Sequence, residues 1–223
     1  MRHVPLKNPG ISPALAFTWA WTAGRALQYG PGPDWLETVS VVFALAYLAL
    51  AIRQSLLCWP AALISTAAWM LVVFDARLYM DAALQVFYFA MAIYGWIQWR
   101  RGGAAGKGVT VHWWRWSTHL IVLLAILLAS LASAWLLRDT DAAFPFVDSW
   151  TTIAAVVTTF MVTRKVIENW IYWFVIDGVS IYLYSSRGMY LTALLFVLYV
   201  VLVVFGYRRW RRHYRAARVA VAA

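Results

Sequence analysis

The sequence predicts an all-α membrane protein with seven transmembrane helices, built as two parallel three-helix repeats joined by a linker helix (3+1+3). Three observations predict it. First, 64% of the 223 residues are hydrophobic and 13% are charged, against about 45–50% and 25% in soluble domains. Second, apolar runs of spanning length recur, separated by charged or turn-forming breaks. Third, distinctive residues repeat at a constant offset of 111 positions.

The spans fall at 36–52, 56–73, 78–99, 118–137, 146–163, 169–186 and 188–207. Each is close to the ~20 residues that cross a hydrocarbon core, the first being somewhat short. The breaks are Arg53-Gln54-Ser55, Asp75-Ala76-Arg77, the loop RRGGAAGKG, RDTD, Arg164-Lys165 and Arg187-Gly188. They divide the chain into a tail (1–35), a first bundle (36–99), a loop (100–117), a linker helix (118–137), a second bundle (146–207) and a basic tail (208–223). Within the first tail, 11–30 reads as an interfacial helix. Arg25 and Pro31 make it a poor eighth span, and its tryptophans argue against the alternative of a cleaved signal peptide.

The net charge of +10 sits between spans and in the tail, so anionic lipid rather than nucleic acid is its expected partner. Thirteen Lys or Arg lie on the C-terminal side of the spans, against three in the opposite loops, Arg77, Arg138 and Arg187. The positive-inside rule then predicts a cytoplasmic C-terminus and an outside N-terminus. The single cysteine, Cys58, excludes an intramolecular disulfide and disfavours a cysteine metal site. HExxH, GxSxG and Gly-rich phosphate loops are absent, so no catalytic residue, cofactor or metal is expected.

The offset brings Arg53 onto Arg164, Trp59 onto Trp170, Tyr79 onto Tyr190, Tyr88 onto Tyr199, Gly95 onto Gly206, Trp99 onto Trp210 and Arg100-Arg101 onto Arg211-Arg212. Shared hydrophobicity would not align tryptophans, glycines and arginine pairs. A three-helix unit repeated directly would be inverted, and one intervening span restores its orientation. Parallel repeats are a transporter architecture with substrate held near the midplane between halves. Duplication that merely enlarges a scaffold is the alternative.

The segment RKVIENWIYWFVIDGVS carries the candidate site. Trp170, Trp173 and Asp177 share a helix face that Ser180 and Tyr184 continue, with Ile171, Phe174, Val175 and Gly178 opposite. Asp177 lies about 14 Å beyond Glu168, near mid-membrane, where a carboxylate must face the interior and a partner. The tryptophans could instead be interfacial anchors, a role that suits Trp170 better than Trp173. Thr66 is the repeat mate of Asp177 and forms a polar patch with Ser65 and Trp69. Gln85 and Tyr88 share a face of the third span, as pocket residues or as helix–helix hydrogen bonds. Thr158 and Thr159 are expected to bond back to their own helix, and Glu168 to pair with Arg164 or Lys165.

The stretches FPFVDSWTTIAAVVTTFMVTRKVIENWIYWFVIDGVSIYLY and LYMDAALQVFYFAMAIYGWIQW resemble the second half and the third helix of Pnu-type B-vitamin transporters. The similarity covers about residues 34–212 and is strongest to the nicotinamide riboside branch. The resemblance implies a fold like that of SWEET sugar transporters, a homotrimer, and facilitated diffusion with trapping by a cytoplasmic nucleoside kinase. It assigns Trp170 and Trp173 to the family's WxxW motif. Asn also occurs in the family where this chain has Asp177, so a carboxylate is not obligatory there. The expected substrate is nicotinamide riboside, whose cationic pyridinium would stack on the two indoles. Asp177 would balance its charge, with Gln85, Tyr88, Trp69, Thr66, Tyr184 and Tyr199 completing the pocket. Thiamine transport, proton-coupled symport through Asp177 and a non-transporting receptor are the alternatives.

Overall fold

The computed structural model describes residues 34–75, 79–103, 106–138, 145–186 and 190–222. The stretch 11–30 lies outside them. Seven helices follow one another: α1 (Asp34–Ile52), α2 (Cys58–Asp75), α3 (Tyr79–Arg101), α4 (Trp116–Leu136), α5 (Pro145–Thr163), α6 (Asn169–Ser186) and α7 (Tyr190–Ala222). Their starts match the expected spans within two residues. The last departs at its end, since the expected tail from 208 continues α7 as helix to Ala222. Its arginines are good helix formers, and no glycine or proline follows Gly206 to stop it.

Among the described residues α1, α4, α5 and a long stretch of α7 are each long and apolar enough to cross a membrane on their own. The apolar part of α2 is shorter. Asp81, Gln85, Gln98, Arg100 and Arg101 make α3 more polar, and Asp177 and three serines do the same for α6. Helix α4 presents nearly all its leucines outward and buries only His119, Ile126 and Ser130. That is the surface of a helix facing lipid on most sides.

Helices α1 to α3 pack in sequence, as do α5 to α7, and α4 lies against α5. Two further contacts join the groups, α1 with α7 and α3 with α5. The 111-residue offset exchanges these two contacts, and it recurs at finer scale. Helices α1 and α5 end in the same cap. Gln54 (φ 56°) and Lys165 (φ 53°) are both left-handed. The N–H of Ser55 donates to Leu50 O (3.0 Å) and that of Val166 to Met161 O (3.0 Å). Gln54 N–H donates to Ala51 O (3.0 Å) and Lys165 N–H to Val162 O (3.0 Å). These are paired Schellman caps, built without the usual glycine.

Trp59 and Trp170 each lie where a Cβ on Gly95 or Gly206 would sit. Only glycine lets α3 and α7 approach those indoles. We expect Gly95→Ala and Gly206→Ala each to cost about 1–3 kcal/mol through overpacking. Thermal unfolding of the purified protein should show both melting earlier, by similar amounts.

Candidate functional site

The α5–α6 connection sets the site. After Thr163 the chain turns through the left-handed Lys165, and Val166 then forms a short bridge with His112. His112 N–H donates to Lys165 O (3.2 Å) and Ile167 N–H to His112 O (2.9 Å). Glu168, 8% exposed, receives the Trp114 N–H (3.0 Å) and His119 Nε2 (2.9 Å) on one carboxylate oxygen. His119 Nδ1 lies 3.0 Å from the Tyr172 hydroxyl. The ring of His119 thus joins Glu168 to Tyr172.

The expected pairing of Glu168 with Arg164 or Lys165 is therefore corrected. Residues 164–168 are not helical, so i,i+4 neighbourhood does not apply. Arg164 instead donates to Gln98 Oε1 (3.0 Å) and the Tyr94 hydroxyl (3.3 Å). Lys165 Nζ stands 4.5 Å from the Trp99 ring centroid, and burial lowers its pKa. His119, near the start of α4, is a buried partner of the site helix.

From Asn169 onward α6 buries one face, comprising Asn169, Trp170, Trp173, Ile176, Asp177, Ser180, Leu183 and Tyr184. Ile171, Phe174, Val175 and Gly178 face outward, as the spacing predicts. Both tryptophans lie inside the bundle. Thr158 and Thr159 bond back to Ala154 O (2.6 Å) and Ala155 O (2.8 Å), as expected.

Trp170, Trp173, Asp177 and Tyr199 line one small cavity with Tyr47, Leu48, Ala51, Val162, Asn169 and Val203. Asp177 is 3% exposed and has no hydrogen-bond or ion-pair partner among the described residues. The Trp170 indole N–H and Asn169 Oδ1 also lack partners there. The cavity thus joins aromatic faces to one carboxylate, a donor and an acceptor. That chemistry suits a flat, cationic ligand with polar substituents. Its free volume is about 20 Å³, too little for such a ligand without rearrangement.

The other expected residues are buried but do not line this cavity. Trp69 and Tyr184 join a second apolar cluster with Tyr199, where Tyr184 stacks on Phe196 at 5.4 Å. Thr66 and Gln85 are buried in α2 and α3. Tyr88 packs edge-on to Phe87 at 5.3 Å, and its hydroxyl has no partner among the described residues. Sequence reasoning did not single out Tyr47 or Asn169. Asn169 sits directly before Trp170 at the start of the site helix, so its place in the segment was available as a signal.

A larger cavity of about 270 Å³ lies between α4, α5 and α6, against Trp116, Ile126, Trp150 and Ile176. Its wall is almost wholly apolar, and its rim includes the outward-facing Leu123 and Val175. Size favours this crevice, which His119, Glu168 and Tyr172 also line, but Glu168 there already receives Trp114 and His119, whereas the small cavity sets aromatic faces against a carboxylate with no such partner among the described residues.

Residues 34–212 match the family described as "Nicotinamide mononucleotide transporter". The chain is 24% identical over 203 residues to the nicotinamide riboside transporter PnuC of Escherichia coli strain K12, covering 79% of this chain and 85% of that one. It is 30% identical over 183 residues to the riboflavin/roseoflavin transporter RibM of Streptomyces davaonensis, covering 79% and 84%. The crystal structure of the vitamin B3 transporter PnuC shares the fold, with a TM-score of 0.62 at 20% identity over 89% of this chain and 91% of that one.

Glu168→Ala should cost about 1–3 kcal/mol, because the Trp114 N–H and His119 lose a buried acceptor. Glu168→Gln keeps an acceptor oxygen and should cost less. Thermal unfolding of the two variants side by side checks the order.

Proposed function

The chain belongs to the nicotinamide mononucleotide transporter family, and from that premise we propose that it carries nicotinamide riboside across the bacterial cytoplasmic membrane by facilitated diffusion. One observation carries the choice of substrate: Asp177 is buried beside Trp170, Trp173 and Tyr199 without an ion-pair partner among the described residues. A desolvated carboxylate is costly unless it is paired. A pyridinium ligand supplies the missing charge and gains cation–π attraction from the indoles at the same time. In this reading Trp170 and Trp173 hold the base, while Asn169, Tyr47 and Tyr199 offer polar atoms to the amide and ribose. Gln85, Tyr88, Trp69, Thr66 and Tyr184 act from behind, or join the pocket when it widens.

Transport proceeds by alternating access. Helices α1–α3 and α5–α7 are the two parallel halves, α4 is the linker, and the halves rock about the cavity between them. The arginine-rich end faces the cytoplasm, where a nucleoside kinase traps the product by phosphorylation. Three copies associate as a homotrimer, with lipid against the leucines of α4.

Riboflavin is the second reading, because RibM is among the relatives and matches at 30% identity. A neutral isoalloxazine would leave Asp177 uncompensated, so it ranks below the cation. A thiamine cation would satisfy the same chemistry, and proton-coupled symport through Asp177 is the mechanistic rival.

Uptake of labelled nicotinamide riboside into proteoliposomes should be saturable and stop at equal concentrations inside and out. Uptake of riboflavin or thiamine in its place overturns the substrate assignment, and accumulation driven by a pH gradient overturns facilitated diffusion. Trp173→Ala should weaken binding by about 30-fold, the equivalent of ~2 kcal/mol for a desolvated cation–π contact. Isothermal titration of the folded variant checks this, and an unchanged affinity would reduce Trp173 to a packing residue.

A further inference from the structure

Two tryptophans just outside the cavity bridge the two groups of helices. Trp99, at the end of α3, donates its indole N–H to Val162 O at the end of α5 (3.2 Å). Trp210, on α7, donates to Ala51 O at the end of α1 (3.0 Å). Both acceptor residues line the small cavity. The repeat offset exchanges the two bonds, taking Trp99 to Trp210 and Val162 to Ala51. Each bond ties a helix of one group to a helix of the other.

The surroundings are equally reciprocal. The two indoles meet with centroids 6.0 Å apart. Trp99 stands edge-on to Trp59 at 5.2 Å, and Trp210 edge-on to Trp170 at 5.4 Å. The carbonyls of Ala51 and Val162 already accept the Gln54 and Lys165 N–H groups of their own caps. The helix ends are thus satisfied without the indoles, which use a second lone pair. These two bonds serve the junction between the groups rather than either helix. They lie at the α1–α7 and α3–α5 contacts, the surfaces that must part if a nucleoside is to leave at this end.

We propose that Trp99 and Trp210 form a reciprocal latch that closes the arginine-rich end of the translocation path and releases each time substrate passes there. The proposal rests on the transport reading above and adds the residues that gate it. The indoles touch one another, and each N–H that lets go is left inside an apolar cluster. The two bonds therefore hold and release as one element rather than independently.

Cys58, the one cysteine in the chain, is fully buried in the same cluster as both indoles and reports on the latch. The protein is reconstituted in vesicles and its labelling by N-ethylmaleimide is timed, with nicotinamide riboside flux measured on the same vesicles. Trp99→Phe and Trp210→Phe retain an aromatic ring but lose the donor. Each should label roughly 5-fold faster than the wild type, the factor one net hydrogen bond is worth. A membrane-impermeant maleimide should reach Cys58 only from the arginine-rich face. Labelling no faster than in the wild type, in either variant, overturns the latch. Where a variant fails to fold, the wild type decides: labelling must quicken while nicotinamide riboside exchanges across the vesicle, and a rate indifferent to exchange overturns the proposal. Faster labelling in the variants without flux in any vesicle would sink the substrate assignment and leave the latch standing.

Discussion

A helix that ends in apolar surroundings must find donor partners for its last carbonyls within the protein. The ends of α1 and α5 meet this requirement with the same left-handed cap, and much of the structure depends on it. The cap at Lys165 stops α5 and frees residues 166–168 from helical geometry. Val166 is then available to bridge His112, and Glu168 to receive Trp114 and His119. Helix α6 restarts at Asn169, and its buried face begins with Trp170. That indole reaches its depth only because Gly206 leaves room for it. The position of the candidate site is therefore fixed from its arginine-rich end, by a turn rather than by the helix that carries the site.

Much of this was legible in the sequence. The apolar runs located the seven helices of the described residues, since a span must be apolar along its length whatever it packs against. The burial of Trp170, Trp173 and Asp177 followed from helical spacing, because one face of α6 meets the bundle and the other does not. Two kinds of feature were hidden. The Glu168 partner was mispredicted because a helical i,i+4 rule was applied across a turn that ends the helix. The cavity lining was mispredicted in part because polarity at depth marks a residue as inward-facing without saying which neighbour it meets. Trp69 and Tyr184 are as buried as Trp170, yet they pack into a separate apolar cluster. Tyr47 lines the cavity from α1, at a sequence distance that no spacing rule bridges.

The two cavities show why chemistry outweighs volume in placing a site. The larger lies among outward-facing side chains of α4 and α6, and the polar residues in its mostly apolar wall, His119, Glu168 and Tyr172, hydrogen-bond to one another. The smaller holds little free space, but it joins a carboxylate with no partner among the described residues to indole and phenol rings. A carboxylate buried without compensation costs stability, and groups of that kind persist where a ligand or a proton supplies the missing partner. The tight packing around it fits a state closed at the arginine-rich end, where the crossed indole bonds lie.

Comparing the two repeats position by position separates framework from site. The pairs Trp59 and Trp170, Gly95 and Gly206, Trp99 and Trp210 keep both residue type and geometry. Gln54 and Lys165 differ in side chain yet share a backbone conformation that few non-glycine residues adopt. All of these shape caps, close helix approaches and the crossed bonds, which both halves need equally. Among the cavity residues Trp170 and Tyr199 keep the correspondence, and others break it. Asp177 answers to Thr66, Asn169 to Cys58 and Tyr47 to Thr158. A two-fold framework would bind an asymmetric ligand in two equivalent poses, each only half satisfied. One carboxylate, on one side, removes that degeneracy. On this argument the departures from the repeat point to the residues that discriminate among ligands, and its fidelity to those that move the halves.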